Sequence, residues 1–212
     1  GLLVSTGGYP LDYEIFEGNK YEGDTLLPVI DHFSQKFKVQ NLIVVADAGL
    51  LSNKNILLLK ERGYQYILGA RIKNMNKAIS EQILRLSLQD KESAIIRLSD
   101  NEKLIIGYKK NRAHKDAKNR KRGLEKLEKT IATGKLSKQN INNRGYNKYL
   151  QIEDRVSISI NYDKYNDDKK WDGLKGYITN TALTKEEVIE QYSQLWQIEK
   201  TFRISKSDLQ IR

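Results

Sequence analysis

The sequence predicts a mixed α/β fold in which an α+β insertion interrupts a core. The first seventy residues alternate short β-branched runs with amphipathic stretches in the order β-β-α-β-α-β, which is typical of an α/β layer with parallel strands. After Lys73 the pattern changes to hairpins and a strongly basic segment, and an amphipathic helix closes the chain. We therefore expect core segments at 1–73 and 181–212, with the insertion at 74–180.

Hydrophobic periodicity and Gly residues at turns predict the elements of the first core segment. They are strands over 1–5, 9–17, 41–47 and 64–71, and helices over 24–37 and 53–62. The first two strands flank Gly7 and Gly8 and form a hairpin. In the strand over 41–47 only Asn41 and Asp47 are polar, so we expect it to be buried on both faces and central in its sheet.

The same patterns predict the rest of the chain. The insertion contains helices near 76–88 and over 110–131, a hairpin with strands over 93–99 and 103–109, and further strands over 149–153, 156–162 and 171–180. The final helix is predicted as one element from Thr184 to about Ser205. Thr184 and Glu187, three residues apart, form a capping box at its start.

The charge of the chain is concentrated in one segment. Of the net charge of +10, residues 109–148 contribute fourteen Lys and Arg against three acids, so the remainder is close to neutral. This polarisation favours a polyanionic partner such as nucleic acid, although a solvated loop has the same composition. The absence of Cys excludes disulfides and zinc–thiolate sites. No run approaches the roughly 20 apolar residues that span a bilayer, so we expect no membrane partner.

Two acids occupy unusual positions. Asp47 directly follows a buried apolar strand, where an unpaired carboxylate is costly, so it either starts the next turn or faces a metal ion. Glu199 borders the apolar face of the final helix, which includes Val188, Tyr192 and Leu195. Alone, such a Glu is usually a surface residue at the edge of packing. An acid at a strand end and an acid on a helix that crosses the sheet together favour a metal site.

This arrangement resembles the DDE transposases of bacterial insertion sequences, in the branch with a β-rich insertion between the second and third acids. The signature of that branch is Tyr, two residues, Arg, three residues, Glu, six residues, Lys. Tyr192, Glu199 and Lys206 match it in type and spacing, and Leu195 occupies the Arg position. VVADAGLLS resembles the second-acid strand, and YPLDYEIFEGN resembles the strand and turn between the first and second acids. The resemblance covers essentially the whole chain and implies a ribonuclease H-like core.

The resemblance implies an enzyme that cleaves transposon ends and transfers strands. Asp47 and Glu199 would be catalytic ligands of two Mg²⁺ (or Mn²⁺) ions. Two such ions, about 3.5–4 Å apart, catalyse in-line displacement at phosphorus. The partners would be terminal-repeat and target DNA, and the intact protein would be a homodimer because two ends are paired. Its location would be the bacterial cytoplasm, at the nucleoid.

The resemblance also implies which residues contact DNA. Tyr192 and Lys206 would contact the backbone near the scissile phosphate, and Arg203 would pair with Glu199 or contact a phosphate. In this context the basic helix would clamp the backbone without base specificity. Its candidate DNA-binding residues are Lys118, Arg120, Lys121 and Arg122.

The first acid of the signature has no convincing counterpart. In the family this Asp lies on the first core strand, upstream of the hairpin that opens this chain, and Asp12, Asp24 and Asp31 are poor substitutes. We therefore expect an N-terminally truncated fragment that does not cleave DNA alone. The alternatives are a non-catalytic nucleic-acid-binding remnant of the same fold and a metal-dependent nuclease.

Overall fold

The structure is a computed structural model of the chain. It describes residues 2–4, 10–15, 17, 22–38, 42–48, 53–134, 136, 140–142, 144–153 and 157–207. These residues form nine β-strands and seven α-helices, which confirms the predicted mixed α/β class. None of these helices combines the length and the apolar surface needed to cross a bilayer.

The elements follow in chain order. They are β1 (Leu2–Val4), β2 (Pro10–Tyr13), α1 (Glu22–Phe37), β3 (Ile43–Ala46), α2 (Asn53–Glu61), β4 (Gln65–Ala70), α3 (Lys77–Leu84), β5 (Ser93–Ser99), β6 (Glu102–Tyr108), α4 (Lys110–Ala132), β7 (Leu150–Glu153), β8 (Ser157–Ile160), α5 (Tyr162–Asp167), β9 (Leu174–Thr179), α6 (Lys185–Ser193) and α7 (Leu195–Ser207). Short 3-10 helices occupy Ile72–Asn74, Gly145–Tyr149 and Asp168–Trp171.

The chain forms two compact units. Unit 1 comprises residues 1–83, 93–107 and 175–212, and unit 2 comprises residues 84–92 and 108–174. Unit 1 therefore includes a hairpin and most of a strand that belong to the predicted insertion. The predicted borders of the insertion, at 73/74 and 180/181, refer to the ribonuclease H-like core that the resemblance implies. They remain a prediction.

A five-stranded mixed sheet forms the centre of unit 1, with the strand order β3-β4-β9-β6-β5. β3 and β4 are parallel, with Ala46 opposite Leu68, as the alternation of strands and helices predicted. β9 runs antiparallel to β4, with Tyr177 opposite Gly69. The prediction that β3 is central is wrong, because β3 is an edge strand of this sheet among the strands that the structure describes. The apolar residues of β3 pack on both faces of the sheet.

Helices cover both faces of this sheet. On one face, α1 and α2 pack against alternate strand residues, among them the buried Val44, Tyr66 and Leu68. On the other face, Val188 and Tyr192 of α6 pack against residues that include Ile67, Ile105 and Tyr177. Full burial of a large apolar side chain contributes roughly 1.5–3 kcal/mol, so the burial of Val188 and Tyr192 stabilises the packing of α6 on the sheet.

The first two strands form a sheet of their own. β1 and β2 are antiparallel, with Leu3 opposite Asp12, which confirms the predicted hairpin. The predicted turn at Gly7 and Gly8 lies outside the described residues. The second strand ends at Tyr13, before the predicted end at residue 17.

The final helix begins as predicted but is not continuous. The Thr184 hydroxyl accepts a hydrogen bond from the Glu187 amide at 3.2 Å. The Glu187 carboxylate accepts one from the Thr184 amide at 2.8 Å, which completes the capping box. The prediction of one helix from 184 to 205 is wrong. The Gln194 amide donates to the Gln191 carbonyl, three residues back, and this tight turn separates α6 from α7.

Unit 2 is built around the basic helix, which the sequence placed correctly. α4 packs Leu127 into a cluster with Tyr149, Leu150 and Ile160. β7 and β8 lie within the two strands predicted over 149–153 and 156–162, and they pair antiparallel, with Leu150 opposite Ile160. One side of α4 is therefore buried, and most of its charged residues are exposed to solvent.

Candidate active site

Asp47 directly follows β3 and is exposed. Along β3, Val44 and Ala46 pack on the α1 side of the sheet, whereas Ile43 and Val45 pack on the α6 side. Because side chains alternate along a strand, the position of Asp47 continues the series of Ile43 and Val45. By this alternation we expect the Asp47 side chain on the α6 side of the sheet, at the end where β3 stops.

Tyr192 of α6 reaches this strand end. A Cβ placed on Gly69 would lie 2.5 Å from the Tyr192 hydroxyl and 3.0 Å from the amide nitrogen of Ala48. The hydroxyl therefore occupies the space above Gly69, beside the residue that follows Asp47. Only a residue without a side chain at position 69 leaves room for it. The helix that carries the signature is in this way joined to the strand that carries Asp47.

A small group of side chains surrounds Tyr192. The Tyr177 and Tyr192 rings meet edge to face, with centroids 4.8 Å apart. The Lys175 Nζ lies 4.2 Å from the centroid of the Tyr192 ring. Tyr192 itself is only 8% exposed, so packing accounts for most of its surface. Its predicted contact with the DNA backbone stays a prediction.

Glu199 lies on α7, one helical turn beyond Leu195, and is exposed. Leu195 packs against the same buried cluster as Ile43 and Val45 of β3. Residues four apart share one side of a helix, so Glu199 continues the side of α7 on which Leu195 packs. The sharing of cations by Glu199 and Asp47 remains a prediction. Arg203 is also exposed, and the Lys206 side chain lies outside the described part of the chain.

The early acids have other partners. Asp12 accepts a hydrogen bond from Lys36 Nζ at 2.6 Å, and this bond lowers the pKa of the Asp12 carboxyl. Asp31 is bonded to Arg62, and it accepts a hydrogen bond from the Tyr64 hydroxyl at 3.0 Å. The Asp24 side chain is outside the described residues. In the described ranges, no group of three or more His, Cys, Asp or Glu side chains is arranged to hold a metal ion.

The four candidate residues of the basic helix have different environments. Lys118, Lys121 and Arg122 are exposed. Arg120 is 8% exposed, and both of its terminal nitrogens donate to the Asp172 carboxylate, one of them at 2.7 Å. This bonding raises the pKa of the Arg120 guanidinium. Arg120 therefore stabilises the interior of unit 2 and is not part of the exposed basic surface.

The sequence did not identify Gly69, Lys175 and Tyr177 as site residues. Lys175 and Tyr177 lie on the same face of β9, and Tyr177 lies opposite Gly69 on β4. The period-two spacing in the predicted strand was a usable signal for a shared face. The cross-strand register with β4 was not visible in the sequence.

We expect Gly69→Ala to destabilise unit 1 by about 1–3 kcal/mol, because the added methyl group overlaps the Tyr192 hydroxyl and the Ala48 backbone. Urea denaturation followed by circular dichroism measures this free energy of unfolding. Gly107→Ala is the matched control, since its Cβ would make only an ordinary contact, 3.6 Å from Ile189. Equal losses for the two variants would show that position 69 is not tightly packed.

Comparison with known families gives a match over nearly the whole chain. The family described as "Transposase DDE domain" matches residues 2–212. No curated protein and no solved structure matches the chain. The matched range includes Asp47, Tyr192 and Glu199 as well as the basic helix.

Proposed function

The chain belongs to the transposase DDE domain family, and from this premise we propose that it is the catalytic part of an insertion-sequence transposase. Its mixed α/β fold agrees with the ribonuclease H-like core of that class. Such transposases act on DNA and generally use divalent metal ions. The proposed reaction is cleavage of the phosphodiester at the transposon ends, followed by attack of the freed 3′ hydroxyl on target DNA.

One observation carries this proposal beyond the family match. The Tyr192 hydroxyl lies above Gly69 next to Ala48, so α6 is held against the strand end that carries Asp47. Tyr192 and Glu199 belong to the same signature, seven residues apart. The two predicted acids thus lie at the end of β3 and on α7, elements that both contact α6 in unit 1.

The donor chemistry of Asp47 and Glu199 fits a hard divalent cation, because Mg²⁺ prefers carboxylate oxygens and keeps several waters. Mg²⁺ bound there would activate the attacking oxygen and stabilise the leaving oxygen. Two acids do not complete the set, and we propose that the missing Asp comes from a first core strand. β3 is an edge strand, so its outer side is suited to pair with such a strand. On this view residues 1–212 alone do not cleave DNA.

We propose that the exposed side of α4 binds the DNA backbone, with Lys118, Lys121 and Arg122 as contacts. Arg120 is left out because it is bonded to Asp172. Backbone contacts by Lys and Arg are independent of sequence, so this surface would position the DNA and not select the terminal repeat. We also propose that the intact protein is a homodimer at the bacterial nucleoid, because two transposon ends have to be paired.

Replacing Lys118, Lys121 and Arg122 together by Gln is expected to weaken binding to mixed-sequence duplex DNA. Each lost phosphate contact lowers the slope of log K against log salt by about 0.9, so three contacts lower it by roughly 2–3. Fluorescence anisotropy with a labelled duplex at several salt concentrations measures the slope. The control replaces the exposed Lys38, Lys77 and Arg97 of unit 1 by Gln. If both triple variants lose the same slope, the surface on α4 has no special role.

A second candidate function is a DNA-binding remnant without catalysis. It is favoured by the finding that no described group of three ligands could hold a metal ion. Incubation of the full-length protein with terminal-repeat DNA and Mg²⁺ separates the two functions. Cleavage at the repeat supports the transposase. Binding without cleavage supports the remnant, and cleavage at any DNA sequence would indicate a nuclease.

A further inference from the structure

The Tyr146 ring lies directly on the backbone of the basic helix α4. A Cβ placed on Gly123 would lie 2.5 Å from the Cε1 atom of this ring and would also overlap its Cγ and Cδ1 atoms. Only a residue without a side chain at position 123 therefore leaves room for the ring. Gly123 is buried, whereas Tyr146 is 39% exposed. Tyr146 is thus an aromatic ring that is packed against a helix and still accessible at the surface of unit 2.

The segment that carries Tyr146 is anchored in the same unit. Tyr146 belongs to the short 3-10 helix Gly145–Tyr149. The last residue of this helix, Tyr149, is 2% exposed and packs in one cluster with Leu127 of α4. The Tyr149 hydroxyl donates a hydrogen bond to the Asp168 carboxylate at 2.5 Å. Because the position of Tyr146 is set before any ligand binds, little conformational entropy is lost when the ring makes a contact.

A stripe of positive charge runs along α4 beside this ring. Residues three or four positions apart share one side of a helix. Arg122 directly precedes Gly123, and Lys126 follows it by three residues, so both border the place where Tyr146 packs. Five exposed Lys and Arg residues at this spacing form what we call the basic stripe: Lys115, Lys118, Arg122, Lys126 and Lys129. At 1.5 Å per residue the stripe is about 21 Å long.

The acids of α4 do not interrupt the stripe next to the ring. Asp116 and Glu128 are each hydrogen-bonded to a group of unit 2 outside α4. Glu125 is two residues from Gly123, which places it nearly on the opposite side of the helix, at 3.6 residues per turn. The surface of α4 beside Tyr146 therefore has a positive charge balance.

We propose that Tyr146 stacks on an unpaired base of single-stranded DNA, while the basic stripe binds the phosphates of the same strand. Proteins that bind single strands combine a positively charged track for the backbone with aromatic side chains on which bases stack. Within a duplex both faces of a base are covered by its neighbours, so the ring finds a base to stack on only where the strands are separated. This inference rests on the proposed binding of DNA by α4, and it adds that the bound DNA is unpaired at Tyr146.

The test measures, by fluorescence anisotropy, the binding of residues 1–212 to a labelled single strand without self-complementarity and to the corresponding duplex. Tyr146→Leu is expected to weaken single-strand binding roughly five- to 150-fold, the loss typical of one base–aromatic stack, and to leave duplex binding unchanged. Tyr146→Phe keeps the ring and should bind like the wild type. Neither variant removes a charge, so the salt slope should stay constant, whereas Lys126→Gln should lower it by about 0.7 for the single strand. Tyr162→Leu, at a Tyr of α5 that is 50% exposed, is the control for loss of a surface ring.

The outcomes separate this inference from the proposed function. Unchanged single-strand binding by Tyr146→Leu would overturn the inference, and so would a wild type that binds only the duplex. If Tyr146→Phe loses as much affinity as Tyr146→Leu, the hydroxyl and not the ring makes the contact, and stacking is excluded. Equal losses on single strand and duplex would mean that Tyr146 only supports the fold of unit 2, which also overturns the inference. Failure of the proposed DNA-binding surface would show separately, as an unchanged duplex salt slope in the triple variant of Lys118, Lys121 and Arg122.

Discussion

Replacing Asp47 by Asn, or Glu199 by Gln, is expected to abolish Mg²⁺-dependent cleavage of terminal-repeat DNA by the full-length protein. Bound metal supplies several kcal/mol of transition-state stabilisation, and each 1.36 kcal/mol changes the rate tenfold, so we expect a loss of roughly a thousandfold or more. Both side chains are exposed, and neither substitution removes packing from the sheet. Cleavage of labelled terminal-repeat DNA, followed by gel electrophoresis, measures the effect.

Controls for these variants are available at exposed acids of the same unit. Asp100→Asn changes an exposed acid in the turn between β5 and β6, and Glu190→Gln changes an exposed acid on α6. Both controls should cleave at the wild-type rate. The Asp47 and Glu199 variants should still bind DNA, because the proposed backbone contacts lie elsewhere. Normal cleavage by either of them would remove that residue from the catalytic set.

Replacing Asp172 by Ala is expected to destabilise unit 2 by about 3–5 kcal/mol, because it leaves the Arg120 charge buried without its partner. The Arg120 side chain is 9% exposed, and the Asp172 side chain is 16% exposed, so water cannot readily replace the carboxylate. The neighbouring Trp171 belongs to the same unit. Its fluorescence during urea denaturation, in a Trp196→Phe background, reports the free energy of unfolding of unit 2.

Two further variants identify the cause of this loss. Asp163→Ala removes an exposed acid from α5 and should change stability by less than about 0.5 kcal/mol. The double variant Arg120→Met with Asp172→Leu removes the charge together with its partner and should be more stable than Asp172→Ala alone. If Asp172→Ala is no less stable than Asp163→Ala, the ion pair does not hold unit 2 together.

Local patterns in the sequence were sufficient to predict most elements of the fold. The helix α4 and the capping box of Thr184 and Glu187 depend on residues close together in the chain, and both are confirmed. The place of β3 in its sheet depends on which distant strands pair with it. Nothing in the run from Leu42 to Ala46 distinguishes an edge strand covered by two helices from a central one. The break at Gln194 was missed because α6 and α7 have good helical residues on both sides of it.

The sequence supplies candidate site residues where a motif fixes the spacing, as for Tyr192 and Glu199, and their role stays a prediction. The contacts that depend on cross-strand register were not predictable. Gly69 and Tyr177 lie opposite each other on paired strands, although they are more than a hundred positions apart in the sequence. Burial also divides neighbours that look alike in the sequence. Arg120 is enclosed beside Asp172, whereas Lys121 is exposed, and only the packing of α4 shows which is which.

The most direct measurement is a crystal structure of the full-length protein with terminal-repeat DNA and Mn²⁺, whose anomalous scattering locates the metal. We predict an anomalous peak in contact with carboxylate oxygens of both Asp47 and Glu199, at metal–oxygen distances of about 2.0–2.3 Å. A peak bound by other residues, with either of these two acids turned away from it, would contradict the proposed active site.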